Sequence, residues 1–217
     1  PPAEARVPRC PEPEPFYSQT LEWSECEGFW CGELEVPLDY ADPGGETIEL
    51  AVLMVPARDP DARLASLVVN PGGPGAPGTD YAEQAGLAFR APLLDRFDIV
   101  GFDPRGTGDS APIDCLGDAE LDAYLASDPD PDTPEEQADL VRWSSELGRG
   151  CVERSGALAG HVSTVEAARD LDVLRAALGE SALTYFGASY GTKLGATYAD
   201  LFPDRVGRLV LDGAVDP

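Results

Sequence analysis

Ser189 lies within Gly187-Ala188-Ser189-Tyr190-Gly191, directly after the apolar run Leu183-Thr184-Tyr185-Phe186 and ahead of a helical pattern. A serine at a sharp strand-to-helix turn takes strained backbone angles, and Gly187 and Gly191 remove side chains that would collide there. Such a turn, a nucleophile elbow, presents its hydroxyl for covalent attack on a carbonyl carbon. The same pentapeptide also arises by chance, where its serine only caps a helix, so Ser189 as nucleophile depends on its company.

Attack on a carbonyl develops an oxyanion, which needs converging donors. Leu67-Val68-Val69-Asn70 reads as a short buried strand that empties into Pro71-Gly72-Gly73-Pro74-Gly75. On an elbow of this type one donor is the N–H of the following residue, Tyr190, and the other comes from such a loop, here Gly73 with Gly72 as the alternative. The loop also spells the dinucleotide fingerprint Gly73-x-Gly75-x-x-Gly78. Pro74 and Pro77 lack the N–H groups a pyrophosphate would require, so no cofactor is expected. A third segment, Phe97 to Phe102 followed by Asp103-Pro-Arg-Gly-Thr-Gly108, reads as a strand and glycine-punctuated turn. Asp103 and Arg105 are expected to pair and fix that turn near the floor of the site, in preference to forming a solvated loop.

The elements that must position these groups follow from periodicity. Residues 33–39, 47–56, 64–70, 97–103, 183–186 and 208–211 read as strands, and residues 81–94, 164–178 and 192–201 as helices. Val165, Leu171, Leu174 and Leu178 recur at helical spacing ahead of Gly179. Alternation of this kind calls for a mostly parallel sheet covered by helices on both faces, with the first strands as an antiparallel edge. Between Cys115 and Cys151 the pattern loosens into a surface excursion, in which Thr133 caps a helix begun by Pro134 and Glu135. Residues 1–25, rich in proline and glutamate, read as an extended N-terminal arm, and 26–217 as part of one catalytic domain.

The chain has 217 residues, a formal charge of −25, five cysteines and one histidine. An acidic surface of that strength repels nucleic acid and anionic lipid, and equally serves plain solubility. No apolar run approaches the roughly twenty residues of a membrane span. The pairs Cys26/Cys31 and Cys115/Cys151 read as disulfides rather than metal ligands, because a zinc site would need more close ligands than the single distant histidine offers. Disulfides imply an oxidising compartment, and Pro1-Pro2-Ala3-Glu4-Ala5 suits a mature end left by leader removal. Cys10 has no evident partner.

Together, Asn70-Pro-Gly-Gly-Pro-Gly75, Asp103-Pro-Arg-Gly-Thr-Gly108, Ala167 to Arg175, Gly187-Ala-Ser-Tyr-Gly-Thr192 and Leu211-Asp-Gly-Ala-Val-Asp-Pro217 resemble the tripeptidyl aminopeptidases. These are α/β-hydrolase enzymes related to the prolyl aminopeptidases of actinobacteria. The resemblance runs from about Trp23 onward. It implies an α/β-hydrolase fold and a secreted or envelope-bound serine peptidase that removes short peptides from free N-termini. Some such relatives act as esterases.

An elbow serine needs a histidine base and an acid, and in this fold both follow it in the chain. The only histidine, His161, precedes Ser189 and is expected to be a surface or helix-capping residue. Asp212 and Asp216 follow the last strand, yet the resemblance places acid, histidine and lid further along. The sequence is therefore read as the N-terminal portion of a serine hydrolase, with histidine and acid supplied by a C-terminal fragment or second chain. A carboxylesterase and a catalytically silent binding protein of the same fold are the rival readings.

Overall fold

The structure is a computed structural model that describes residues 14–215. Seven strands, β1 (Ser24–Cys26), β2 (Phe29–Pro37), β3 (Thr47–Val55), β4 (Ala65–Asn70), β5 (Phe97–Phe102), β6 (Leu183–Ala188) and β7 (Val206–Asp212), form one sheet. Their spatial order is β1-β2-β3-β5-β4-β6-β7. The strands β5, β4, β6 and β7 run parallel, while β1, β2 and β3 add an antiparallel edge to β5.

The central strands are apolar on both sides because both faces of the sheet are covered. In β4, Val68 packs with the cluster of helices α7 (Thr164–Ala177) and α8 (Tyr190–Leu201), through Leu171, Leu174 and Leu194. Its neighbours Leu67 and Val69 face the opposite cluster, which includes Ala82, Phe89 and Leu94. That second layer is not the single helix expected over 81–94 but three short ones, α2 (Gly78–Glu83), α3 (Ala85–Ala88) and α4 (Ala91–Leu94). Phe89 is extended where it buries its ring, and Pro92 can only begin a new helix. Contact between α2 and β5 is close enough that a Cβ on Gly101 would overlap the Gly78 carbonyl. Gly78, the last glycine of the apparent dinucleotide fingerprint, is thus used for helix-on-sheet packing.

The expected extended arm over 1–25 does not hold for its second half. Residues 1–13, with Cys10, lie outside the described residues, but α1 (Glu14–Tyr17) docks on α7 and both Phe16 and Leu21 are buried. Residues 1–25 hold six prolines and five glutamates, and the apolar side chains that anchor the second half, Phe16 and Leu21 with Tyr17 and Trp23 against the same core, are too few and too irregularly spaced to show as a period.

Helix α7 is buried nearly all round although it carries Asp170, Asp172 and Arg175. Each carboxylate is solvated by protein. Asp172 accepts from the Tyr17 and Tyr198 hydroxyls and pairs with Arg175 and Arg205. Burial, then the Asp172 charge, pushes both phenols far above the ordinary tyrosine range, so they stay protonated donors. Asp170 accepts from the Tyr40 hydroxyl and from Nε and Nη2 of Arg105.

The excursion between β5 and α7 holds α5 (Asp118–Leu125) and α6 (Pro134–Ser155). Thr133 caps α6, its hydroxyl accepting from the Glu136 N–H while Glu136 accepts from the Thr133 N–H. Cys115 is bonded to Cys151 at the base of this excursion, and Cys26 to Cys31 across the β1–β2 hairpin.

Candidate active site

Ser189 stands between β6 and α8 with φ 53° and ψ −123°, a conformation open in practice only to glycine. The strain is held from both sides. Its N–H donates to the Asp212 carbonyl at 2.9 Å, and its own carbonyl accepts from the Thr192 N–H at 2.9 Å and the Thr192 hydroxyl at 2.7 Å. The flanking glycines do what their positions suggested: a Cβ on Gly187 would overlap the Gly191 carbonyl, and one on Gly191 would meet Asn70. Ser189 itself is exposed.

The glycine loop after β4 lies directly against this turn. Gly72, at φ 97°, is buried, and a Cβ on it would stand 2.8 Å from the Tyr190 nitrogen and 3.1 Å from the Ser189 Cβ. Its N–H is spent on Asn70 Oδ1 at 3.0 Å. The next residue, Gly73, has φ 107°, is exposed, and its N–H meets no acceptor among the described residues. Geometry thus separates the two glycines: Gly72 packs against the elbow, and Gly73 keeps a free donor. Tyr190 opens α8, so its N–H is one of the orphan donors at a helix N-terminus, where partial positive charge gathers. Its hydroxyl meets Thr164 Oγ1 at 2.6 Å, a contact that no sequence spacing announces. A recess beside Tyr190 is lined by Gly72, Pro74, Thr107, Val162, Ala167 and Leu194.

The expected Asp103–Arg105 pair is not formed. Asp103 is buried and accepts from the Thr79 N–H and hydroxyl at 3.1 and 2.7 Å and from the Asp109 N–H at 3.0 Å. It therefore braces the start of α2 and the turn after β5. Arg105 points away to Asp170 at 2.7 Å and to the carbonyls of Pro37, Leu38 and His161. A carboxylate two residues away cannot satisfy five guanidinium donors, whereas Asp170 and three carbonyls can. The signal for that partner is present in α7: Asp170 shares the spacing of Ala167, Leu171 and Leu174, the inward face of the helix.

His161 is half-buried, with Nδ1 2.8 Å from Glu166 Oε1, and Glu166 in turn accepts from the Ser163 N–H and hydroxyl. It belongs to the cap of α7, in line with the helix-capping expectation. Asp39, His161 and Glu166 bring potential ligand atoms within 4.8 Å of one another. Their oxygens already accept from protein donors, Asp39 from the Ala41 N–H and Glu166 from Ser163. Asp212 contributes its main-chain oxygen to Ser189, and its charge adds to the burial that raises the Tyr81 phenol. Asp216 lies outside the described residues.

A family profile described as alpha/beta hydrolase fold matches residues 65–217, which covers strand β4, the glycine loop and the elbow. The chain belongs to the α/β-hydrolase family. Within that family it is 42% identical over 91% of its length to the tripeptidyl aminopeptidase of Streptomyces coelicolor. It is 42% identical over 94% of its length to the serine protease Hip1 of Mycobacterium tuberculosis, and 40% identical over 94% to carboxylesterase B of the same organism. The resemblance read from the five motifs is therefore matched across nearly the whole chain. The chain spans 38% of the Streptomyces protein and 41% of each mycobacterial one. No helix among the described residues is long and apolar enough to cross a membrane.

Proposed function

We propose that this chain carries the nucleophile and oxyanion portion of a secreted or envelope-bound serine hydrolase that releases short peptides from free N-termini. The observation that carries the reading is the strained φ of Ser189 at the end of a parallel strand, facing a glycine loop with an unspent N–H. Relatives named tripeptidyl aminopeptidase and serine protease support the peptide substrate, and two disulfides support an oxidising compartment.

In this reading Ser189 Oγ bonds to the scissile carbonyl carbon while a histidine takes its proton. The resulting oxyanion accepts from the Gly73 and Tyr190 N–H groups. Collapse breaks the C–N bond, the histidine gives its proton to the departing amine, and water then cleaves the acyl-enzyme by the same route. The histidine and its acid come from residues outside this sequence, because in this fold both follow the nucleophile and the one histidine, His161, precedes it. The parallel sheet leaves β7 as an outer strand with Val210 and Leu211 exposed, a natural place for the remaining part to join.

A carboxylesterase is the second reading, favoured by the carboxylesterase B relative. In the polypeptide complete with its histidine and acid, a fluorophosphonate should label Ser189, and Ser189→Ala should abolish both labelling and turnover. Tripeptide amides with a free N-terminus should then be cleaved faster than N-blocked ones or simple esters. Preference for esters would select the second reading, and absence of labelling would leave a binding protein.

A further inference from the structure

Thr192 is buried, 2% exposed, and its hydroxyl makes two bonds that lead in opposite directions. It donates to the Ser189 carbonyl at 2.7 Å and accepts from the Val215 N–H at 2.9 Å. The first bond is of an ordinary kind, a threonine in the first turn of a helix bonding the carbonyl three residues back. The second is not. Val215 follows β7 and Gly213, whose φ of 69° turns the chain back over the elbow, and the Ser189 N–H reaches the same segment through the Asp212 carbonyl. Ser189 is thus tied to the strand-β7 exit by its N–H directly and by its carbonyl through one hydroxyl.

We infer that Thr192 is a positioning residue for the nucleophile, coupling the strained Ser189 backbone to the segment Asp212–Val215. The inference rests on the reading of Ser189 as nucleophile and adds to it the group that holds the turn. A backbone at φ 53° relaxes unless its neighbours over-determine it, and of the three hydrogen bonds on the Ser189 main chain only the Thr192 hydroxyl bond depends on a side chain. Relaxation would swing Oγ away from the carbonyl it attacks, while leaving the substrate-binding surface in place.

Thr192→Val keeps the shape and deletes the hydroxyl. In the complete enzyme it should lower kcat and the rate of fluorophosphonate phosphonylation, in which the Oγ–P bond forms and fluoride leaves, by roughly ten- to a hundredfold, with KM little changed. Thr192→Ser should stay within about threefold of the unsubstituted enzyme, since it retains both bonds. Thr192→Ala and Thr192→Ser lose the same methyl, so their difference isolates the hydroxyl even if the valine variant folds poorly. Labelling of Ser189 at an equal rate in the alanine and serine variants overturns the inference alone. An unlabelled Ser189 in the unsubstituted enzyme overturns the nucleophile and this inference with it.

Discussion

The Cβ that Gly191 lacks would stand 2.7 Å from the main-chain oxygen of Asn70 and 2.9 Å from its Oδ1. Asn70 is the residue that fixes the Gly72 N–H, so one missing side chain lets the elbow and the glycine loop touch. Gly191→Ala should push the loop off the elbow. The expected result is a loss of about 1–3 kcal/mol in stability, typical of overpacking, together with a larger loss in kcat than in KM. Chemical denaturation and steady-state kinetics on the complete enzyme check both.

Ser189→Gly should stabilise the fold while destroying turnover. The serine occupies backbone space that costs an L-residue about 1–3 kcal/mol and a glycine little, so part of that strain is returned on substitution. Activity should fall on the order of 10⁶-fold, as in other serine enzymes stripped of the nucleophile. A midpoint of unfolding lower than that of the unsubstituted protein would refute the strain argument.

Asp170→Ala should be among the most damaging single changes in the chain. It leaves Arg105, 1% exposed at its side chain, without the carboxylate that pairs with it, a cost of about 3–5 kcal/mol. Replacing both, as Arg105→Met with Asp170→Leu, should recover much of it because no uncompensated charge remains. Thermal unfolding of the single and double variants gives the comparison.

Acid should loosen the N-terminus of α6. Hydrogen bonds to Thr133 hold the Glu136 carboxyl below its ordinary 4.5. A lowered folded value means that the carboxylate contributes stability above the unfolded pKa and loses it as pH falls through the folded one. The stability advantage over Glu136→Gln should therefore be full at neutral pH, shrink as the pH falls below the ordinary 4.5, and be gone once it has passed the lowered folded value. Unfolding midpoints of the two proteins across that range decide it.

The parallel strands, the elbow and the glycine loop were legible because each rests on local chemistry: apolar runs, glycines that admit positive φ, and a serine between them. Thr133 and Pro134 announced α6 for the same reason. The polar supports were not legible. Proximity in the chain favours Asp103 as the partner of Arg105, whereas the bond to Arg105 spans 65 residues to Asp170. Asp172 collects Tyr17 from 155 residues away, so neither the docking of residues 14–25 nor the burial of a charged helix leaves a periodic trace. The bond between Thr164 and Tyr190 and the two bonds of Thr192 leave no trace in the sequence either, since threonine near a helix start has an ordinary local use.

The Cys115–Cys151 bond brings the two ends of the excursion to 3.8 Å between Cα atoms, 36 residues apart in the chain. Everything between them hangs from a single covalent point, so α5, the turn at 128–133 and the body of α6 can lengthen, shorten or be rebuilt without moving β5 or α7. A protease that nicks that turn leaves one molecule of unchanged mass but for a water, separable into two pieces only by a reductant. With its ends stapled, the excursion is where an insertion or deletion should be borne best, because the sheet below does not depend on the path the chain takes between the two cysteines.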